Sequence, residues 1–122
     1  MSNAEEFYKK GLNAKQNRSW ELAINYFSKS IEHNSANADA YYQRGVAHYW
    51  SDNLDKSIYD CRKCIELKPE YVEAYFSLGR LYEKAGRAQD AIGSYNQFLE
   101  KASSEDFAKK ITEARARIEK LQ

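Results

Sequence analysis

The two cysteines of the chain, Cys61 and Cys64, stand in a C-x-x-C spacing that metal sites and redox-active dithiols both use. A structural zinc site needs four ligands, and only His33 and His48 could join the two thiolates. A redox pair is typically found at a helix N-terminus, where the thiolate is stabilised. The surrounding pattern instead predicts the middle of a helix. We therefore expect both thiols to fill a packed interior, with redox and metal roles as the alternatives.

No other pattern in the 122-residue sequence predicts catalysis, since it has no glycine-rich phosphate loop, no H-E-x-x-H motif and no nucleophile elbow. The 19 basic and 18 acidic residues nearly cancel, which disfavours nucleic acid and membrane surfaces as partners. No apolar run approaches the ~18 residues that span a bilayer, and residues 1–11 contain no apolar segment typical of a secretory signal. We expect a cytoplasmic protein that is not an enzyme and holds no metal or other cofactor.

The positions of the glycines show how the chain is organised. Gly11, Gly45 and Gly79 are 34 residues apart, and an aromatic residue precedes each of them by four positions. Further columns of similar residues keep the same register, at Ala23, Ser57 and Ala91, at Phe27, Cys61 and Tyr95, and at Ile31, Ile65 and Leu99. Columns that hold their phase over three periods indicate an internal repeat.

Each period is predicted to form two antiparallel helices. In the second period, Asn37 or Asp39 can cap a helix whose apolar residues recur at helical spacing. Residues 51–53 interrupt this pattern, and a second helix then runs from about residue 54 to residue 67, before Pro69. The repeated glycine is expected to let the two helices approach closely. A pair this small cannot bury its own apolar face, so neighbouring pairs must stack.

The repeat resembles the tetratricopeptide repeat family, in which a large residue, Leu-Gly, Tyr, Ala, Phe, Ala and Pro hold set positions in 34 residues. The third period matches best, at Tyr75, Leu78, Gly79, Tyr82, Ala91 and Tyr95. The resemblance implies an all-α fold, an α-solenoid of three helix-turn-helix pairs in a right-handed superhelix with a capping helix. We expect the repeats to cover residues 4–37, 38–71 and 72–105, with the capping helix over residues 106–122.

The last stretch, residues 103–122, is predicted to form a single helix. Ser103 and Asp106 have a spacing similar to that of a capping box. Apolar residues recur along one face, at Phe107, Ile111, Ala114, Ile118 and Leu121. Solenoids need their open ends covered, so we expect this helix to cap the stack. The alternative is a basic helix that binds a partner.

The helix over residues 38–50 carries more aromatic residues than packing on one side requires. Opposite its packing stripe, a helical wheel places Val46 and Trp50, flanked by Tyr42 and Tyr49. By the family's architecture, the first helices of successive repeats line a concave surface. On this analogy the predicted peptide-binding groove consists of Tyr8, Leu12, Lys15, Tyr42, Gln43, Val46, Tyr49, Trp50, Phe76, Arg80 and Glu83. The alternative is that some of these aromatic residues pack between repeats.

One function known in this family can be compared with the sequence directly. Members that bind the acidic C-terminal tails of heat-shock chaperones hold the terminal carboxylate in a clamp of Lys, Asn and Arg side chains. The corresponding residues here are Tyr8, Leu12, Gln43, Glu73 and Ser77. None of them is cationic, and Glu73 would repel a carboxylate. We therefore expect weak or no binding to such tails.

The leading hypothesis is a non-catalytic interaction module, or adaptor, that binds a peptide segment of a partner protein in the aromatic groove. Self-assembly into a homo-oligomeric scaffold is the second hypothesis, because three repeats are near the minimum for a stable stack. Binding to single-stranded RNA is the third hypothesis, and the balanced charge argues against it.

Overall fold

The computed structural model describes residues 2–122, and these residues form seven α-helices and no strand. The helices are α1 (Asn3–Gln16), α2 (Trp20–His33), α3 (Ala38–Trp50), α4 (Leu54–Leu67), α5 (Val72–Lys84), α6 (Ala88–Lys101) and α7 (Ser104–Leu121). The predicted all-α fold is therefore confirmed. The chain divides into two compact units, Met1–Lys68 with α1 to α4 and Pro69–Gln122 with α5 to α7. Between residues 2 and 122, no helix has both the length and the apolar character that crossing a membrane requires.

Small polar side chains begin three of the four helices of the first unit. The side-chain oxygens of Ser2, Asn37 and Asn53 each accept a hydrogen bond from the backbone N–H group three residues further along. Each bond satisfies a backbone donor that the first helical turn leaves without a partner. Asn37, rather than Asp39, therefore caps α3, and Asp39 lies in its first turn.

The turn inside each helix pair contains one residue in the left-handed backbone region. These residues are Arg18 (φ 59°), Asp52 (φ 61°) and Gly86 (φ 74°). They are 34 residues apart, so the same turn conformation recurs in every repeat, as the core positions do. Only glycine adopts this conformation without steric cost, and the other two turns use residues with a Cβ atom.

The core of the first unit joins its two helix pairs. Phe27 of α2 is fully buried in a cluster with Ala14, Ala23 and Ala47, the last of which lies on α3. A Cβ atom on Gly11 would lie 2.5 Å from the Phe27 ring, so α1 and α2 can pack this closely only with glycine there. The predicted close approach of the paired helices is confirmed here, as is the packing of one pair on the next within this unit.

The two cysteines lie in α4 and are buried. Phe27 and Ser30, which occupy the equivalent positions one repeat earlier, are buried as well. Burial raises the pKa of the Cys61 thiol, which disfavours the thiolate that redox chemistry and metal binding both need. The prediction that both thiols fill a packed interior is confirmed. Among residues 2–122, no group of three or more His, Cys, Asp or Glu side chains is arranged to hold a metal ion.

A buried ion pair crosses from α3 to α4 in the first unit. Arg44 donates two hydrogen bonds to the carboxylate of Asp60, from Nε and from Nη2, each 2.8 Å long. Arg44 also donates to the Ser28 hydroxyl of α2 at 3.2 Å, so one guanidinium joins three helices. His48 Nε2 lies 3.8 Å from Asp60, and burial lowers the pKa of His48. The imidazole is therefore neutral near neutral pH, and Arg44 supplies the positive charge that Asp60 needs.

The second unit packs around two buried rings of α6, Tyr95 and Phe98. A Cβ atom on Gly79 of α5 would lie 2.5 Å from the Tyr95 ring, which repeats the close approach of the first unit. Phe107 of α7 meets the Phe98 ring edge-on at 5.8 Å, and Ile111 of α7 is also buried. The C-terminal helix therefore covers α6.

The C-terminal helix predicted over residues 103–122 forms as α7 (Ser104–Leu121), but it is not regular throughout. The backbone at Phe107 is not helical (φ −125°, ψ 26°), so α7 is kinked after its first turn. Ser103 caps the helix by accepting a hydrogen bond from the Glu105 N–H group at 3.2 Å. The kink occurs where the Phe107 ring packs against Phe98.

Candidate functional site

Eight of the predicted groove residues lie on α1 and α3 of the first unit. We call these eight the aromatic surface: Tyr8, Leu12, Lys15, Tyr42, Gln43, Val46, Tyr49 and Trp50. All eight are at least partly exposed, whereas Tyr41, Gly45 and His48 of α3 are buried. Helix α3 thus has one face in the core and one accessible face.

A hydrogen bond connects α1 to α3 within the aromatic surface. The Lys15 ammonium donates to the side-chain oxygen of Gln43, and burial lowers the pKa of Lys15. Burial also raises the pKa of Tyr8, with a further contribution from the nearby Asp39 carboxylate. One hydrogen bond therefore joins polar groups of the two helices, and the amide group of Gln43 can still donate hydrogen bonds to a ligand.

The two most N-terminal members of the aromatic surface also contribute to the core. Tyr8 and Leu12 pack against the cluster around Phe27, and the Tyr8 ring lies 5.8 Å from the Phe27 ring. The alternative considered from the sequence, that some aromatic residues of the groove serve packing, thus applies in part to Tyr8. Its exposed part still borders the surface.

Trp50, the last residue of α3, is the most exposed ring of the aromatic surface. Its side chain stacks on Trp20 of α2, with ring centroids 5.9 Å apart and an interplanar angle of 14°. Tyr49 meets the Trp50 ring edge-on at 5.3 Å. Trp50 is nevertheless 55% exposed. The three rings form a rigid, accessible aromatic group, because each restricts the orientation of its neighbour.

Trp20 was not among the residues that the sequence predicted for the groove. The order of the helices already indicated that Trp20 lies near the aromatic surface. Because α2 and α3 are consecutive and antiparallel, the start of α2 lies beside the end of α3. Trp20 is the first residue of α2 and Trp50 is the last residue of α3. Only the packing of α2 on α3 shows that the two indole rings stack.

The other three predicted groove residues, Phe76, Arg80 and Glu83, lie on α5 of the second unit. Phe76 is only 4% exposed, and its ring packs edge-on against Tyr95 and Phe98. The Lys110 ammonium of α7 lies 5.7 Å from the Phe76 ring centroid. The prediction that Phe76 lines an accessible surface is therefore wrong, because this ring fills the core beneath α7.

Glu83 and Arg80 differ in their surroundings although they share one helix. Glu83 accepts a hydrogen bond from Arg117 Nε of α7 at 2.8 Å and another from the Tyr95 hydroxyl at 3.3 Å. Burial and the Glu83 carboxylate together raise the pKa of Tyr95. Arg80 is exposed. Glu83 therefore ties α5 to α7 and α6, while Arg80 remains accessible.

The five side chains compared with the chaperone-tail clamp, Tyr8, Leu12, Gln43, Glu73 and Ser77, include no cation. In the first unit, Tyr8 and Leu12 contribute to packing, and Gln43 accepts a hydrogen bond from Lys15. In the second unit, Glu73 is an exposed carboxylate in the first turn of α5. These side chains offer no charge-assisted hydrogen bond to a terminal carboxylate.

Comparison with known proteins agrees with this architecture. Two family models, both described as tetratricopeptide repeat, match residues 38–71 and residues 61–93. The small glutamine-rich tetratricopeptide repeat-containing protein 2 of Saccharomyces cerevisiae is 30% identical over 97 residues, which cover 80% of this chain. The chain spans only 28% of the length of that relative.

Solved structures show the same fold over nearly the whole chain. The Arabidopsis OM64 TPR domain is 25% identical, with a TM-score of 0.86, and the match covers 99% of this chain and 98% of that domain. The first TPR of Spaghetti (RPAP3), bound to the HSP90 peptide SRMEEVD, is 19% identical. Its TM-score is 0.87, and the match covers 98% of this chain and 93% of that structure. The 34-residue register, the helix pairs and these matches together place the chain in the tetratricopeptide repeat family.

Proposed function

We propose that the chain is a non-catalytic interaction module that binds a peptide segment of a partner protein on the aromatic surface. The observation that carries this proposal is the exposed ring of Trp50, which stacks on Trp20 and contacts Tyr49. Large exposed aromatic groups are typical of binding surfaces, because their burial by a ligand contributes much free energy at little entropic cost. The cytoplasmic location predicted from the sequence stays part of this proposal.

The polar groups of the aromatic surface suit a peptide ligand. The aromatic surface contains polar groups, such as Gln43 and the Tyr8 hydroxyl, beside apolar members such as Val46. The polar groups can exchange hydrogen bonds with a peptide backbone. Such a surface combines apolar contact area with a few oriented polar groups, as peptide-binding sites commonly do. We therefore propose a partner segment with apolar or aromatic anchor residues.

Self-assembly by end-to-end stacking is less well supported than peptide binding. In α3, Ala40 and Ala47 are fully buried, and Ala47 packs against the first helix pair. The equivalent positions in α1 hold Glu6 and Asn13, which are both exposed. This face of α1 is polar. Burying it against a second copy would remove polar side chains from water, and no burial of apolar surface would offset that cost.

We expect the chain not to bind the peptide SRMEEVD with micromolar affinity. That peptide is bound by the Spaghetti (RPAP3) domain, but here the clamp positions hold Tyr8, Leu12, Gln43, Glu73 and Ser77. Isothermal titration of the peptide into this chain checks the prediction, with the Spaghetti domain as the positive control. A dissociation constant in the micromolar range for this chain would contradict it.

We expect Trp50→Ala to weaken the binding of a partner peptide at least about tenfold, because the exposed ring supplies much of the contact area. Peptides selected from a random display library on the wild-type chain serve as ligands, and fluorescence anisotropy measures their affinity. Tyr42→Ala tests a second residue of the same surface. Tyr59→Ala is the matched control, because Tyr59 of α4 is 60% exposed but lies outside the aromatic surface.

The pattern of losses decides the proposal. Reduced affinity in Trp50→Ala and Tyr42→Ala, with unchanged affinity in Tyr59→Ala, supports it. Full affinity in both of the first two variants, with circular dichroism spectra like that of the wild type, rules the aromatic surface out as the binding site.

A further inference from the structure

A surface cavity of about 390 Å³ lies between α5 and α7 of the second unit. It is lined by charged side chains alone: Arg80, Glu83, Lys84, Glu113 and Arg117. Three of them are cations and two are carboxylates, so the lining carries a positive balance. The cavity belongs to the second unit and includes no residue of the aromatic surface.

One of the two carboxylates is already neutralised. Glu83 accepts hydrogen bonds from Arg117 Nε and from the Tyr95 hydroxyl, and this contact with Glu83 raises the pKa of Arg117. The Arg117–Glu83 pair therefore forms a wall of the cavity and holds α7 against α5. Its two charges largely cancel for any ligand that enters.

Arg80 is the cation that this network leaves available. It is exposed, and within residues 2–122 its guanidinium forms no hydrogen bond and no ion pair. A guanidinium presents a planar set of N–H donors that matches the two oxygens of a carboxylate. Lys84 adds a second positive charge to the same cavity. Glu113, on α7, provides an acceptor suited to the N–H groups of a peptide backbone.

We propose that the cavity between α5 and α7 binds an aspartate or glutamate side chain of an acidic peptide segment, with Arg80 as the main contact. Such a site differs from the chaperone-tail clamp in both its residues and its ligand. It recognises a side-chain carboxylate, and it lies outside the clamp positions of α5, Glu73 and Ser77. This proposal does not depend on the aromatic surface, because it can be tested with a peptide that has no apolar side chain.

The test uses the peptide acetyl-Gly-Glu-Gly-amide, whose only charge is one side-chain carboxylate. Titration at low ionic strength, followed by the NMR signals of the arginine Nε–H groups, should give saturable shifts at Arg80. We expect weak binding, with a dissociation constant above about 1 mM, because a single exposed charged contact contributes little free energy. Arg80→Gln should weaken binding at least about tenfold, because it removes the charge and the paired donors.

Matched controls separate this site from general anion binding. Arg115→Gln removes an exposed cation of α7 that does not line the cavity, and Trp50→Ala removes the ring from the aromatic surface. Both variants should bind the probe as the wild type does. The proposal is overturned if acetyl-Gly-Gln-Gly-amide produces the same shifts, if Arg80→Gln keeps full affinity, or if Arg115→Gln loses as much as Arg80→Gln.

Discussion

Replacing Arg44 with alanine should lower the free energy of unfolding by about 3–5 kcal/mol, which is the cost of leaving a buried charge without its partner. Asp60 is only 1% exposed, and both of its carboxylate oxygens accept hydrogen bonds from Arg44. His48 Nε2 lies 3.8 Å from Asp60, but in the wild type burial lowers the pKa of His48, so Arg44 is the cation that pairs with this carboxylate near neutral pH. A domain of this size has about 5–15 kcal/mol of stability, so the substitution should remove a large share of it.

Urea denaturation followed by circular dichroism measures this loss, and two further variants make it interpretable. Glu66→Gln breaks an ion pair in which Glu66 is 71% exposed, so it should change the unfolding free energy by less than about 1 kcal/mol. The double variant Arg44→Ala, Asp60→Ala should be more stable than Arg44→Ala alone, because it also removes the buried carboxylate that has lost its cationic partner. Equal effects of Arg44→Ala and Glu66→Gln would show that the buried pair has no special role.

Gly79→Ala should lower the free energy of unfolding by about 1–3 kcal/mol, as overpacking of a filled core does. The added Cβ atom would lie 2.5 to 2.7 Å from three atoms of the Tyr95 ring. That ring cannot move aside easily, because it is fully buried, contacts Phe76 and donates a hydrogen bond to Glu83. Helices α5 and α6 would have to separate instead.

Gly93→Ala is the matched control for Gly79→Ala, since it makes the same chemical change in a helix of the same unit. Apart from its chain neighbours and the nearby backbone of its own helix, a Cβ atom on Gly93 would have no atom within 4 Å. This substitution should stabilise the protein by about 0.5–1 kcal/mol, because alanine loses less backbone entropy than glycine in a helix. Thermal and urea unfolding of both variants should therefore shift in opposite directions. A shift in the same direction would contradict the close approach of α5 and α6.

The parts of the fold that repeat were predictable from the sequence. A 34-residue register in which Gly11 and Gly79 stand opposite Phe27 and Tyr95 leaves little choice about how the helices pair. The same register placed Cys61 in a core column and so favoured packing over a metal or redox role, and the structure shows the thiol buried. Periodicity is informative here because each column meets the same neighbours in every repeat.

The parts that break the repeat were not predictable in the same way. Phe76 was assigned to an accessible surface by analogy with α3, but its ring also packs against Phe98 of α6, and Lys110 of α7 lies over it. The kink at Phe107, whose ring contacts Phe98 of α6, also has no equivalent in the repeated columns. Trp20 was missed because its role depends on stacking with Trp50 across two helices.

The most direct test of the central claim is to locate a bound peptide by NMR. A peptide selected on the wild-type chain is titrated into isotope-labelled protein, and the backbone and side-chain signals are followed. We predict that the largest shifts occur at residues of the aromatic surface, above all at the indole N–H group of Trp50 and the side-chain amide of Gln43. Large shifts confined to α2 and α4, with none on the accessible face of α3, would contradict the account.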